Sequence, residues 1–384
     1  MTAVVTGIGV TAPNGLGLED YWTATCGGVS GVAAITRFDA TTYPARLAGE
    51  VPGFVAEHHL PSRLLPQTDH MTRLALVAAD WALSDAGIRT DELPEFGMGV
   101  VTAASAGGFE FGQRELGNLW RDGGKHVSAY QSFAWFYAVN TGQISIRHGL
   151  RGPSGVIVSE QAGGLDAVAH ARRNIRKGAR LMLTGGVDGS ICPWGWAAHL
   201  TSLRLSSSGD PSRAYLPFDA AACGHVPGEG GAILVLEQAR AALGRGARIY
   251  GEIAGYAATF DPRPGGGSGS GLRRAIEAAL RDAGATASEV DVVFADDLGD
   301  LLLRVLFRGV GIGFVRLAER QPDSRAHLAF LRAVGFIDQE CDAQVLQFGV
   351  LFDLFQHPGE LLLRSDNDRL AIREEPRQVG GLSR

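Results

Sequence analysis

The stretch from Val156 to Asp166, reading Val-Ile-Val-Ser-Glu-Gln-Ala-Gly-Gly-Leu-Asp, constrains the fold more than any other part of the chain. A β-branched apolar run stops at a polar pair, and small residues then lead into Leu165, Val168, Ala169 and Ala171 at helical spacing. That pattern predicts a strand, a sharp turn and a helix. In such an elbow the turn residue sits at a helix N-terminus, where free backbone N–H groups and the helix dipole stabilise an anion and depress a thiol pKa. Here that residue is Gln161. A carboxamide has no lone pair basic enough for nucleophilic attack, so a site shaped for a nucleophile holds a residue that cannot be one.

Around this elbow the chain alternates between two periods. Short apolar, often β-branched runs at 3–8, 98–103, 180–184, 230–237, 250–257 and 290–295 predict strands. Helical spacing predicts helices over 18–26, from Thr68-Asp69 to Asp85-Ala86-Gly87, over 127–146, from the elbow to Lys177 and over 271–283. A further helix follows the exit loop Ser105-Ala-Gly-Gly108, with Phe109, Gly112, Gln113, Leu116, Leu119 and Trp120 on one face and Glu110, Arg114, Glu115 and Arg121 elsewhere. Strands alternating with helices predict a layered α/β fold with a largely buried sheet.

Composition narrows the function classes. A net charge of -6 over 384 residues gives no reason to expect nucleic-acid binding. The four cysteines, Cys26, Cys192, Cys223 and Cys341, lack CxxC spacing, so neither a disulfide framework nor a zinc site is expected and a reducing cytoplasm is the expected location. No basic segment leads into an apolar run at the N-terminus, and no apolar stretch approaches membrane-spanning length, so neither secretion nor a membrane span is expected. His170, His199 and His225 lack ligand spacing and are expected to be structural, and no metal site is expected. Gly163-Gly164 and Gly228-Glu-Gly-Gly231 follow neither the dinucleotide nor the P-loop pattern.

The run Tyr215-Leu-Pro-Phe-Asp219, followed by Val226-Pro-Gly-Glu-Gly-Gly-Ala-Ile-Leu-Val-Leu-Glu237, closely resembles a signature segment of β-ketoacyl synthases of the thiolase superfamily. So do Asn140-Thr-Gly-Gln-Ile-Ser-Ile146, Gly149-Leu-Arg-Gly-Pro-Ser154 and Leu183-Thr-Gly-Gly-Val-Asp188. Ketosynthases carry a cysteine at the elbow. Ser159-Glu160-Gln161-Ala162-Gly163-Gly164 instead resembles the chain length factor, the cysteine-free ketosynthase-beta subunit of type II aromatic polyketide synthases, as do Val4 to Asn14 and Phe133-Ala-Trp-Phe-Tyr137. The resemblance implies a thiolase-like fold of two related βαβαβ halves, in α/β/α/β/α layers. It also implies a heterodimer with a catalytic ketosynthase, which builds poly-β-ketone chains from malonyl units on a phosphopantetheinylated acyl carrier protein. No bound cofactor is expected, and no nucleic acid or membrane partner.

On this resemblance the chain shapes the tunnel that measures the product, and Phe109, Gly112 and Leu116 line it. Gly112 has two readings. It leaves room for a longer polyketone than bulkier residues permit, or it allows close packing of a neighbouring helix. Phe133 and Phe136 belong to an aromatic cluster that serves either the subunit interface or the core.

Three departures bear on chemistry. Gln161 stands at the nucleophile position, Asp296-Asp297-Leu298 stands where an active enzyme has its first histidine, and the only lysines are Lys125 and Lys177. No autonomous condensation is expected. An alternative is a malonyl-thioester decarboxylase that uses the Gln161 amide for chain priming, which would need oxyanion donors and the missing histidines. The division expected is 1–240 as an N-terminal ketosynthase-like half, 241–298 as the start of the C-terminal half, and 299–384 as a tail without family motifs, either read out of frame or a divergent replacement. If that tail is genuine and cannot complete the fold, the product is inert.

Overall fold

A computed structural model describes residues 1–159, 162–217, 219–260 and 271–294, together with the backbone of four short strands at 312–316, 351–352, 360–364 and 369–373. β1 (Ala3–Ala12) is buried along its length, as expected of a β-branched run covered on both faces. It runs past the expected end at Ile8 and folds back through β2 (Gly15–Leu16) into α1 (Leu18–Cys26). β3 (Val32–Ala34) and β4 (Leu47–Gly49) pair within the loop-rich stretch that follows.

α2 (His70–Asp85) begins where Asp69 caps it, the carboxylate accepting the Met71 N–H at 2.9 Å. Its Leu74, Leu76, Val77 and Leu83 are buried, with alanines between them. The alanines let the helix lie close on β1. A Cβ on Gly9 would stand 1.9 Å from the Ala78 carbonyl oxygen, so this approach requires glycine.

The chain continues through β5 (Met98–Ala103), α3 (Phe109–Asp122), α4 (Val139–His148), β6 (Ser154–Ile157), α5 (Gly163–Arg176), β7 (Leu181–Asp188) and α6 (Pro193–Leu200). β8 (Gly230–Gln238), α7 (Ala239–Gly244), β9 (Gly251–Ala257), α8 (Leu272–Ala283) and β10 (Ile312–Arg316) follow. The sheet order is β10-β9-β1-β8-β7-β5-β6. β5 is parallel to both β6 and β7, and the remaining ladders of this sheet are antiparallel. β11 (Leu351–Phe352), β12 (Glu360–Arg364) and β13 (Arg369–Arg373) form a separate antiparallel ladder.

Alternation along the strands builds two cores. Val100, Leu183 and Val235 pack with α2 on one face, while Val101, Met182 and Leu236 pack with Val168 and Ile175 of α5 on the other. The buried Arg172 of α5 donates to Asp282 of α8 at 2.5 Å, tying these two helices together. The expected layered α/β arrangement with a buried sheet is therefore present. Among the described residues no helix is long and apolar enough to cross a membrane.

Two expected elements are absent. Residues 127–146 do not form one helix: a short 3-10 turn at Ala129–Ser132 and an irregular aromatic segment precede α4, which starts only at Val139. The aromatic segment lies against the loop before α3, where the Ala134 and Trp135 carbonyls crowd Gly108 and Gly107, and a continuous helix could not follow that path. Residues 290–294 are not a strand and pair with no strand among the described residues; the strand that pairs with β9 on the side away from β1 is β10. Ala295 lies outside the described residues.

Candidate functional site

β5, β6 and β7 run parallel, so their carboxyl ends at Ala103, Ile157 and Gly186 lie side by side, the position at which α/β sheets bind ligands. The chain leaves β6 through Val158 and Ser159 and enters α5 at Gly163, so a strand and a helix flank the elbow as expected. Gln161 itself lies outside the described residues, as does Glu160. The residues on either side are tied down. Asp166, in the first turn of α5, accepts from the Ser159 hydroxyl at 2.6 Å and from the Tyr256 phenol of β9. Burial and the Asp166 carboxylate push the Tyr256 phenol well above its ordinary range. Below the elbow, Thr141 of α4 bonds the Thr102 hydroxyl at 2.7 Å and the Gly155 carbonyl at 3.1 Å, while Asn140 donates to the Val187 carbonyl at 2.8 Å. The Asn140-Thr141 motif thus joins α4 to all three parallel strands.

The predicted tunnel face of α3 is brought together in part. Phe109 stacks on Trp194 of α6 with ring centroids 4.9 Å apart, and the Trp194 backbone N–H donates to the Gln113 side-chain oxygen at 2.6 Å. A Cβ on Gly112 would stand 3.0 Å from the Trp194 ring and 3.5 Å from the Trp135 Cβ. The space beside Gly112 is therefore bounded by an indole edge and by the Trp135 side chain. Leu116, one turn further on, is 37% exposed. Trp194 was not legible as a partner of this face. The signal for its helix is Cys192-Pro193: proline suits the first helical position, and the Cys192 sulfur accepts the Gly195 N–H at 3.4 Å. Trp196 anchors the same helix, fully buried with its indole N–H on the Ala45 carbonyl at 3.0 Å.

The polar side of α3 differs from expectation. Glu115 is buried because it accepts the Ser128 N–H at 2.8 Å and the Arg114 side chain at 3.0 Å. Phe111 is the deeply buried apolar residue of this helix, whereas Trp120 is 82% exposed. Phe133 is half-buried, edge-on to Tyr130. Phe136 is exposed between Trp135 and Tyr137, which are exposed as well.

Beneath these aromatics lies a group of buried ionisable side chains. Burial pushes the Asp188 carboxyl up to about 7 and the Asp69 carboxyl up to about 6, against backbone N–H bonds that pull the other way. For Glu229 burial also acts upward, but hydrogen bonding and charge from His70, with the charge of Arg37, hold it below its ordinary range. His199 shares a 2.7 Å hydrogen bond with the Ser190 hydroxyl, and burial, with His225 nearby, lowers it to about 4. A neutral imidazole this weakly basic fits the structural role expected of it. Among the described residues no group of His, Cys, Asp and Glu could hold a metal ion.

Raised carboxyl pKa values have a definite pH consequence. Between pH of about 4 and about 7 the folded state holds protons on Asp69 and Asp188 that the unfolded state has released, so the contribution of these two groups is complete below that window and is lost as pH rises through it, while His199, lowered to about 4, acts the other way up to about pH 6.5. Removing the Asp188 titration in Asp188→Asn should therefore raise the urea-unfolding free energy at pH 8 relative to that at pH 5, changing the difference between the two. An unchanged difference in that variant would assign the pH dependence elsewhere.

A sequence model of the β-ketoacyl synthase N-terminal domain matches residues 2–242. The chain belongs to the β-ketoacyl synthase family. Among curated relatives, the tetracenomycin polyketide synthase ketoacyl synthase beta subunit of Streptomyces glaucescens is 61% identical over 298 residues, 77% of this chain and 73% of that protein. A solved ishigamide ketosynthase/chain length factor superposes with a TM-score of 0.69 at 24% identity, covering 90% of this chain and 84% of that one. A type II polyketide synthase acyl-carrier protein in complex with its ketosynthase bound to the hexaketide gives a TM-score of 0.67 at 27% identity, covering 78% of this chain and 74% of that one. The sheet and flanking helices described above are those of the thiolase-like ketosynthase fold. Within the β-ketoacyl synthase family, the chain falls with the ketosynthase beta subunits, the chain length factors.

Proposed function

We propose that this β-ketoacyl synthase family member is the non-catalytic, chain-length-determining subunit of a type II polyketide synthase. It would pair in the cytoplasm with a catalytic ketosynthase and shape the tunnel in which a poly-β-ketone grows from malonyl units on a phosphopantetheinylated acyl carrier protein. The observation that carries the reading is one surface. At one end of the sheet, β6 is an edge strand, and the exposed aromatics Trp135, Phe136 and Tyr137 lie in the segment leading to α4, which packs against that strand. An open edge strand offers a row of backbone donors and acceptors to another chain, and aromatics are the usual interface anchors. Phe109 and Trp194 continue this apolar surface, because the Trp135 Cβ and the Trp194 ring meet over Gly112. A tunnel wall at a subunit boundary would look like this.

Condensation is assigned to the partner, since the position of the nucleophile is Gln161. The purified chain, given malonyl-loaded carrier protein and an acyl primer, should form no carbon–carbon bond until the partner is added. Product formed by the chain alone would overturn the assignment.

The reading concerns residues 1–298. The first curated relatives match over 298 to 300 residues of the 384. We infer that 299–384 is translated out of frame, in place of the remainder of the C-terminal half that begins at 241. The nucleotide sequence around the codons for Asp296 to Arg304 tests this: a single insertion or deletion whose reversal restores family motifs is expected, and an intact frame on both strands of evidence, genomic and transcript, would refute it.

A further inference from the structure

We propose that Asp69 and Asp188 are a pair of positioning residues that set where the tunnel face of α3 stands, by holding both ends of the Ser105–Phe111 segment through its backbone N–H groups. This rests on the tunnel reading of Phe109, Gly112 and Leu116. Asp188, the last residue of β7, accepts the Ser105 N–H at 2.9 Å and the Ala106 N–H at 3.0 Å, and its other oxygen accepts the Gly189 N–H at 3.0 Å. Asp69, the cap of α2, accepts the Phe111 N–H at 2.7 Å and the Met71 N–H at 2.9 Å. Among the described residues, the hydrogen bonds to both carboxylates come from backbone alone. Each is nevertheless buried.

The segment between the two acids is clamped from its other side. The Gly108 N–H donates to the Trp135 carbonyl at 3.0 Å, and a Cβ on Gly108 would stand 2.9 Å from the Asp69 Cβ. Gly107 has a φ of 76°, and a Cβ there would stand 2.5 Å from the Trp135 carbonyl oxygen. The loop therefore lies between the buried acids and the backbone of the aromatic segment, with no slack on either side. Phe109 is within it and Gly112 follows one turn later.

Several charged or titratable groups act on the pair. Asp69 feels Glu110 from α3, His70 and Arg73 from α2, and the Cys192 thiol at the start of α6. Asp188 feels Asp69. Glu229 is turned to His70 and Arg37 instead, and Arg37 also pairs with Glu110. Opening the Ser105–Phe111 segment would hydrate both carboxyls and let them release protons. Raising the pH across their titration therefore favours opening.

The test reads the segment and the product together. In the unmodified chain, hydrogen-exchange protection factors of the Ser105, Ala106 and Phe111 amides should fall by about tenfold or more between about pH 5 and about pH 8, while those of Val100 and Leu183 in the sheet change less. Asp188→Asn should remove that pH dependence at Ser105 and Ala106. In the complex with the catalytic ketosynthase, the product-length distribution should broaden over the same rise in pH, and Asp188→Asn should make it independent of pH. Protection of the three amides that does not change with pH in the unmodified chain would overturn the proposal, and that arm needs no variant to fold. So would a length distribution indifferent to both pH and Asp188→Asn while Gly112→Thr with Leu116→Phe alters it. If that filling variant also leaves length unchanged, the tunnel reading fails and this inference fails with it.

Discussion

Replacing Phe133 and Phe136 together by Asp should abolish co-purification of the chain with its catalytic ketosynthase. Phe136 is exposed in the isolated chain, and Phe133 is half-buried against Tyr130, so the two lie at the rim of the fold rather than in its main cores. An obligate interface is large and apolar and rests on a few aromatic anchors. Two ionised carboxylates placed among such anchors are stripped of water when the interface forms, and each costs several kcal/mol on burial. A combined loss above about 4 kcal/mol lowers affinity by about a thousandfold, enough to empty the complex at ordinary protein concentrations. Circular dichroism and urea unfolding of the variant establish that it is folded. Pairing that survives in a folded variant would assign the aromatic segment to the chain's own packing.

The sheet was legible because its strands are short buried runs whose β-branched residues fit no other covered position so well. Val100 and Val101 are both buried but face opposite cores, so a continuous apolar run marks the strand and the period of two only sorts its side chains between the cores. α2 was legible from its cap, Asp69, and its apolar spacing. The aromatic segment before α4 was not. Aromatic density imitates a helical face, while the path of this segment is fixed by contacts with Gly107 and Gly108, which are remote in sequence. Glu115 was misplaced for a related reason: spacing assigns a charge to the outside, but here the Ser128 N–H needs an acceptor indoors. At the site, Phe109 and Gly112 could be read from spacing, yet the indole that fills the gap belongs to a helix after β7. The pairing of Asp69 with Asp188 is likewise a product of tertiary structure. One reads locally as a cap and the other as the end of a strand, and only the fold shows both holding the loop before α3.

The second large effect concerns product length. Phe109, Gly112 and Leu116 lie on one side of α3, and Trp194 covers the first two by stacking on Phe109 and resting over Gly112. Threonine at 112 places its Cβ 3.0 Å from the indole, tighter than ordinary contact, so Trp194 must move away from α3. That side of the helix is where the growing chain is proposed to pass. Phenylalanine at 116 adds bulk at a position that is partly exposed in the isolated chain and so costs little in folding. On that proposal both changes narrow the same passage, and neither touches the elbow or the buried acids. The decisive measurement is the mass of the polyketide released by the complex, made with Gly112→Thr and Leu116→Phe together in a subunit carrying the family's reading frame beyond residue 298, the ketosynthase and carrier protein held constant. A product shorter by one or more malonyl-derived units is predicted; an active complex that releases product of unchanged length would contradict the assignment of chain-length control to this chain.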